Sequence, residues 1–160
     1  MVILLSFPKG CEPSQAIPEK IKKWLKMENL NFNQVVGEGA RNTLFNYHVT
    51  LPSGTSFNVF QPSNKKDSIC VSTALIFGDA LNKKFNQKTK IEREEIFSEM
   101  RFKLVSLDVE FNFYNGEFPK RLVINHPIYY DALSKDRFFK AISTVYKAFI
   151  LSTWILRQSV

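Results

Sequence analysis

Residues with reactive side chains are few and scattered in this sequence. Its imidazoles are His48 and His126, and its thiols are Cys11 and Cys70. A zinc site needs close pairs of such ligands, and these four stand singly along the chain. Neither histidine has a paired nucleophile in a recognisable turn, so we expect a structural role for both. The sequence predicts no metal site, no catalytic residues and no cofactor.

A second group that could do chemistry is a set of glutamates between residues 92 and 99. A carboxylate metal site in a helix bundle would need Glu-x-x-His partners on facing helices, and the sequence has none. It also has no Gly-x-Ser-x-Gly elbow and no phosphate-binding loop. We therefore interpret the glutamates as a solvated helix face and the chain as a protein without enzymatic activity. An enzyme with a dispersed site remains an alternative.

Positive charge is the next feature with functional meaning. The formal net charge is +7, and most of the excess lies before residue 91, which favours anionic partners such as nucleic acid or acidic proteins. The densest cluster is on the first predicted helix: Lys20, Lys22, Lys23 and Lys26. These lysines are the candidate anion-binding residues of an alternative function, nucleic-acid binding by the basic N-terminal half. Solubilising lysines on an outer helix face are the simpler interpretation.

The last predicted helix carries more apolar surface than one sheet face requires. Residues 148–156 are apolar nearly all round, whereas a helix that covers a sheet needs one apolar stripe. Either a second element of the same domain or a partner chain must cover the surplus. Candidate interface residues are Phe149, Ile150, Trp154 and Ile155. Lys140 and Lys147 interrupt the longer, mostly apolar stretch 138–156, which argues against a membrane span.

Composition is that of an ordinary globular protein. Apolar residues make up 44% of the chain and charged residues 23%, with 15 phenylalanines, which is enough for one substantial core. Two cysteines are too few for a disulfide framework, and the N-terminus lacks the basic start of a secretory signal. A reducing, cytoplasmic location is therefore predicted.

The elements that must position these residues follow from periodicity. Apolar residues at helical spacing predict helices over 18–29, 90–104 and 134–157, with a Thr89–Glu92 capping box and a Ser134 cap. Alternating or continuous apolar runs predict strands over 32–36, 44–51, 56–61, 68–77, 105–114 and 121–125. Residues 78–90 predict a loop or partly helical connection, Asn115-Gly116 predicts a hairpin turn, and His126-Pro127 is expected to end the last strand.

These elements predict an α+β fold in which helices pack on an antiparallel sheet, a meander plus a hairpin, in the order α-β-β-β(-β)-α-β-β-α. Residues 1–17, rich in proline, are expected to form an irregular N-terminal arm. Residues 18–160 are expected to form one α+β domain.

Residues 121–141, Arg-Leu-Val-Ile-Asn-His-Pro-Ile-Tyr-Tyr and the eleven that follow, resemble the signature of an uncharacterised, mainly archaeal family, domain of unknown function 2299. The resemblance continues through Val145-Tyr146-Lys147-Ala148 to residues 154–156, and includes Phe60-Gln61-Pro62 with Asp67-Ser68. The order of elements also resembles the class I type III secretion chaperone fold.

This resemblance implies a compact α+β domain, often a homodimer, that binds extended segments of other proteins. It supplies no catalytic residues. The chain departs from the secretion chaperones in charge, because they are typically acidic and this chain is basic. The resulting expectation is a non-enzymatic protein- or peptide-binding domain that self-associates, binds a protein or peptide partner, or does both.

Overall fold

The computed structural model describes residues 16–114 and 119–159. Within these ranges the chain forms four α-helices, six strands and two short 3-10 turns. In chain order they are α1 Ala16–Met27, β1 Asn31–Gln34, a 3-10 turn Gly37–Ala40, β2 Thr43–Thr50, β3 Ser56–Pro62, β4 Ser68–Ile76, α2 Asp79–Gln87, α3 Lys90–Val105, β5 Glu110–Tyr114, β6 Arg121–Tyr129, a 3-10 turn Tyr130–Ala132 and α4 Lys135–Gln158.

The strands form one antiparallel sheet with the order β1-β2-β3-β4-β6-β5. The first four strands are the predicted meander. The last two form a hairpin whose second strand, β6, lies between β4 and β5, with Ile69 opposite Ile128 and Leu75 opposite Leu122. The α+β class and its order of elements are confirmed, and α2 occupies the connection for which a loop or partial helix was predicted.

Helices α1, α3 and α4 lie against one face of this sheet, and α2 packs on α3. Helix α4 packs on β4 and β6. The ring of Trp24 in α1 lies 5.7 Å from that of Phe138 in α4. On the other side of α4, the ring of Phe97 in α3 lies 5.6 Å from Phe85 of α2 and 5.6 Å from Phe113 of β5. Aromatic contacts therefore join the helices to one another and to the sheet.

We call the sheet surface beneath the helices the covered face. Its side chains alternate along each strand and are mostly buried, as expected for one face of an antiparallel sheet. Those that lie in the core are Phe45, Tyr47, Val49, Phe57, Val59, Ile69, Val71, Leu122, Ile124 and Ile128.

Local signals begin two of the helices as the sequence predicts. The Thr89 hydroxyl accepts from the backbone N–H of Glu92 at 3.3 Å, and the Glu92 carboxylate accepts from the backbone N–H of Thr89 at 2.7 Å. Both halves of the capping box at α3 are thus present. At α4 the Ser134 hydroxyl accepts from the backbone N–H of Arg137 at 3.2 Å.

The prediction that His126-Pro127 ends the last strand is wrong, because β6 continues through Pro127 to Tyr129. Proline has no N–H, so it fits a strand where that position faces away from a pairing partner. Pro127 lies opposite Cys70 of β4, whereas the pairing with β5 ends where Glu110 meets Asn125. Its nitrogen therefore faces the side on which β6 has no strand neighbour.

Helix α3 extends to Val105, so β5 begins at Glu110 and not at the predicted residue 105. Ala16, the first described residue, already belongs to α1, two residues before the predicted start at Pro18. Most of the predicted N-terminal arm, with Cys11, and the Asn115-Gly116 turn lie outside the described residues. Within the described ranges no helix, α4 included, is long and apolar enough to cross a membrane.

Candidate binding surface on the open face of the sheet

The opposite surface of the sheet carries no α-helix within the described ranges, and we call it the open face. The 3-10 turn Gly37–Ala40 lies beside β2 and covers part of it. Strand side chains that alternate onto this face are Asn31, Asn33, Thr43, Asn46, His48, Thr50, Ser56, Asn58, Phe60, Pro62, Ser68, Cys70, Ser72, Ala74, Ile76, Glu110, Asn112, Tyr114, Arg121, Val123, Asn125, Pro127 and Tyr129.

The open face is poor in charge. Charged residues make up 23% of the chain, yet the strand positions of this face contribute Glu110 and Arg121 alone. Large apolar side chains stand among the polar ones: Ile76 is 73% exposed, Tyr129 51% and Tyr114 47%. Depletion of charge and enrichment of aromatic residues distinguish the cores of protein interfaces from ordinary surface.

A directional chain of hydrogen bonds crosses the open face from β2 to β3. The Asn46 side chain, only 5% exposed, donates its Nδ2 to the backbone carbonyl oxygen of Gly39 at 3.1 Å. Asn58 Nδ2 donates to Asn46 Oδ1 at 3.1 Å. Asn58 Oδ1 lies 3.0 Å from Nδ1 of His48. We call these three side chains the amide relay.

The Gly39 carbonyl sets the direction of the whole relay, because a carbonyl oxygen can only accept. Asn46 must therefore turn its amide nitrogen to Gly39 and its oxygen to Asn58. Asn58 in turn presents its oxygen to His48, so His48 Nδ1 carries a proton and donates. These hydrogen bonds orient the His48 ring and place a proton on Nδ1, and Nε2 forms no hydrogen bond with the described residues.

A cavity of about 440 Å³ opens above the relay on this face. Its lining combines hydroxyl and amide groups with the ring of Phe60. The charged or titratable side chains in the lining are His48 and Arg121, and it contains no carboxylate. Such a surface can hold a polar or anionic group of a ligand beside an apolar one.

A second cavity of about 650 Å³ lies between the α3–β5 connection, the end of β6 and the first turn of α4. His126 Nδ1 lies 2.5 Å from the backbone carbonyl oxygen of Asp108, to which it donates. This bond ties the connection to β6, which is a structural role. Among the described residues, no three candidate ligands come together to hold a metal ion.

The Cys70 thiol belongs to the open face but is not a reactive group. Burial is the largest influence on the pKa of this thiol, which is raised to about 12. A thiol with so high a pKa has little nucleophilic thiolate at neutral pH. Cys70 therefore behaves as a small apolar side chain beside Pro127.

The structure separates the four candidate interface residues of α4. Trp154 is 60% exposed, and Phe149 and Ile150 are half-buried. Ile155, by contrast, is only 5% exposed and belongs to the core of the chain itself. The assignment of Ile155 to a partner interface is therefore corrected, since the side chain already packs inside its own chain. Much of the apolar surplus of α4 is covered by the sheet and α3.

The four candidate anion-binding lysines of α1 do not form one uniform patch. Lys22 Nζ lies 2.7 Å from Glu19 Oε1 and 5.7 Å from the centre of the Tyr47 ring. The hydrogen bond to Glu19 is the main reason that the pKa of Lys22 is raised. Lys20 lies over the ring of Trp24 at 5.5 Å. Lys23 and Lys26 are exposed.

Sequence reasoning missed the amide relay. Its signal was present, because Asn46, His48 and Asn58 all occupy the polar positions of alternating strands. What the sequence did not show is the register that sets His48 opposite Asn58, and with it which polar residues meet.

The sequence of residues 17–156 matches a family described as an uncharacterized conserved protein, DUF2299. The chain belongs to this family. No curated protein matches it. The chain is similar to a protein of known structure, described as the crystal structure of an uncharacterized protein from Methanothermobacter thermautotrophicus. The two share 28% sequence identity and a TM-score of 0.80, over 91% of this chain and 98% of the other.

The expected family is thereby confirmed, and the similar structure comes from an archaeon. The family match covers α1 through most of α4, and so includes every strand of the open face. Neither description states an activity, so any function for this DUF2299 chain must be argued from its own surface.

Proposed function

We propose that this chain is a protein-interaction domain without catalytic activity, and that it binds an extended segment of a partner protein on the open face. The observation that carries the proposal is the composition of that face. It holds two charged strand residues, exposed Ile76 and Tyr129, and polar groups that are partly satisfied by one another. Binding there removes apolar area from water without stripping many charges of their hydration.

Charge favours an acidic partner. The chain carries a net charge of +7, and the cavity above the relay presents the Arg121 guanidinium without a carboxylate. Electrostatic attraction of this kind raises association rates and selects among partners more than it adds affinity. Binding of an extended segment is also what the resemblance to secretion chaperones implies. A chaperone-like fold, a dimeric state and a cytoplasmic location of this chain are parts of the same proposal.

The alternative function, nucleic-acid binding through α1, has weaker support. Lys22 is already paired with Glu19 and packs on Tyr47. Charge-driven binding would still be sequence-independent and sensitive to salt. Glutamine at Lys23 and Lys26 should then weaken binding of RNA homopolymers of every base by a similar factor. Binding of one sequence that survives high salt would favour this alternative over the protein partner.

The proposal is tested by selecting displayed peptides on the wild-type chain and measuring their affinity for three variants. Ile76→Glu and Tyr129→Glu place a charge on the open face, whereas Trp154→Glu places one on an aromatic residue of α4 whose exposed fraction lies between theirs. We expect selected peptides to be enriched in acidic residues, to lose roughly tenfold or more in affinity for the first two variants, and to bind the third like wild type. Failure to select any peptide, or equal binding to all variants, would contradict the proposal.

A further inference from the structure

The free edge of β5 is unprotected within the described part of the sheet. Edge strands are usually blunted by lysine, proline, a bulge or extreme shortness, because their backbone groups can pair with another chain. The sequence of β5, Glu-Phe-Asn-Phe-Tyr, contains neither lysine nor proline, and its pairing with β6 is regular. The opposite edge, β1, is shorter and more polar, Asn-Phe-Asn-Gln.

The direction of the backbone groups of β5 follows from Pro127. In an antiparallel strand, successive residues point their N–H and C=O groups to alternate sides. Pro127 lies opposite Cys70 but has no N–H to donate to β4, so its backbone faces the other side of β6. Because every second residue faces the same side, the N–H and C=O groups of Asn125 and Val123 also point away from β4 and towards β5. Their partners, Glu110 and Asn112, are bonded to β6, which leaves the groups of Phe111 and Phe113 facing outward.

A second observation, independent of the first, concerns α3. Three large apolar side chains of this helix are exposed: Ile91 69%, Phe102 80% and Val105 73%. At 100° per residue they fall within an arc of about 60°, opposite the buried residues of the helix. We call these three side chains the α3 stripe.

The α3 stripe lies on the flank of the helix nearest to β5. Arg101, which is next to Val105 on the helical circumference, places its guanidinium 5.1 Å from the centre of the Phe113 ring. Phe97, on the core side, contacts the same ring at 5.6 Å. The unprotected strand and the exposed stripe therefore border one another on one side of the molecule.

From these two observations we infer that a second copy of this chain docks here, with the two β5 strands paired antiparallel about a two-fold axis at Asn112. This register sets the outward groups of Phe111 opposite those of Phe113 of the second copy, so each strand satisfies the other. Glu110 meets Tyr114 and not another Glu110, so like charges do not oppose one another. The α3 stripes of the two copies approach on the helix side of the joined sheet.

A second copy fits this edge because the edge is complementary to itself. An isologous interface requires that one patch match its own rotated image, and a two-fold rotation about Asn112 places Phe111 opposite Phe113. The dimer uses the backbone edge of β5 and the α3 stripe. Peptide binding is tested at Ile76 and Tyr129, which lie on β4 and β6, so the dimer and the peptide site succeed or fail separately.

The most specific test introduces opposite charges at Asn112 in two separate variants. This exposed residue would lie opposite Asn112 of the second copy across the two-fold axis. Asn112→Lys and Asn112→Asp are made separately, and sedimentation equilibrium is measured for each, for their equal mixture and for wild type. Like charges placed directly opposite are destabilising, so each variant alone should dimerise roughly tenfold more weakly than wild type. The mixture should recover dimers, each containing one copy of either variant, with circular dichroism showing all chains folded.

Two further variants separate this interface from one on α4. Phe102→Glu should dissociate the dimer, and Trp154→Glu should leave it intact. A wild type that is monomeric at high concentration, dimers in both charged Asn112 variants as strong as in wild type, or a dimer dissolved by Trp154→Glu but not by Phe102→Glu would each overturn the inference.

Discussion

The two faces of the sheet are built from the same strands but serve different ends. On the covered face, Ile124 is fully buried and belongs to a core of helix and strand side chains. On the open face, its neighbour Val123 is half-buried and stands among amides and hydroxyls. Side chains on the covered face stabilise the fold through packing. Those on the open face contribute less to stability, so residues there can be selected for binding with little loss of folding free energy.

The largest expected effect comes from truncating that neighbouring pair. Ile124→Ala removes a fully buried side chain and should lower the free energy of unfolding by about 2–5 kcal/mol. Val123→Ala removes a smaller, half-exposed one and should cost about 1 kcal/mol or less. Urea denaturation of both variants makes the comparison within one strand. Equal losses would show that the open face is packed as tightly as the covered one.

The next effect concerns the amide relay. Asn58→Ala leaves the oxygen of the nearly buried Asn46 and the Nδ1 proton of His48 without their partner. A buried polar group left unsatisfied costs about 1–3 kcal/mol, so urea denaturation should show a loss in this range. A double-mutant cycle with Asn46→Ala should show coupling between the two residues. Additive losses would mean that the relay is two independent contacts.

A smaller effect is expected at the start of α3, on the covered side. Thr89→Ala removes the hydroxyl that caps the helix and should cost about 1 kcal/mol in urea denaturation. The hydrogen bonds from Thr89 also lower the pKa of Glu92. The stability that the ionised Glu92 carboxylate contributes through these hydrogen bonds has its full value above the unfolded-state pKa of a glutamate. It is lost as the pH falls through the lower, folded-state pKa.

The pH dependence gives that prediction a matched control. The capping contribution should fade on acidification in wild type, and Glu92→Gln should remove this part of the acid dependence while keeping a polar side chain at the position. An unchanged acid profile in Glu92→Gln would show that the carboxylate is not held by the cap in solution.

The smallest effect on stability is expected for Trp154→Ala. Its side chain is 60% exposed, so truncation should change the free energy of unfolding by about 0.5 kcal/mol or less. Ile155→Ala, one residue further and buried, should cost about 2–5 kcal/mol. Thermal unfolding followed by circular dichroism separates the two. A large loss for Trp154→Ala would mean that this indole packs against α4 neighbours in solution.

Periodicity in the sequence was enough to predict most of the covered face. Alternation in 44–51 and 56–61 and the apolar run in 68–77 predicted β2, β3 and β4, and helical spacing predicted α4. These patterns arise because burial on one side imposes a period on the residues that supply it. The cap at Thr89 was readable for a different reason, since both partners lie three residues apart.

The open face and the strand ends were harder to predict. The continuation of β6 through Pro127 depends on the absence of a strand neighbour at that point, which is a property of the assembled sheet. The amide relay depends on the register between β2 and β3. The exposure of Trp154 beside buried Ile155 depends on how α4 is rotated against the sheet, and a helix that is apolar nearly all round does not specify that rotation.

The most direct test of the open face as a binding surface is a map of a bound peptide by nuclear magnetic resonance. A peptide selected on the wild-type chain is added to isotope-labelled protein, and chemical-shift changes are followed for side chains of both faces. We expect the changes to concentrate on Phe60, Val123 and Tyr129, with small changes at Ile124 and Phe138. Changes centred on α1 or α4, with the open-face signals unmoved, would contradict the proposed function.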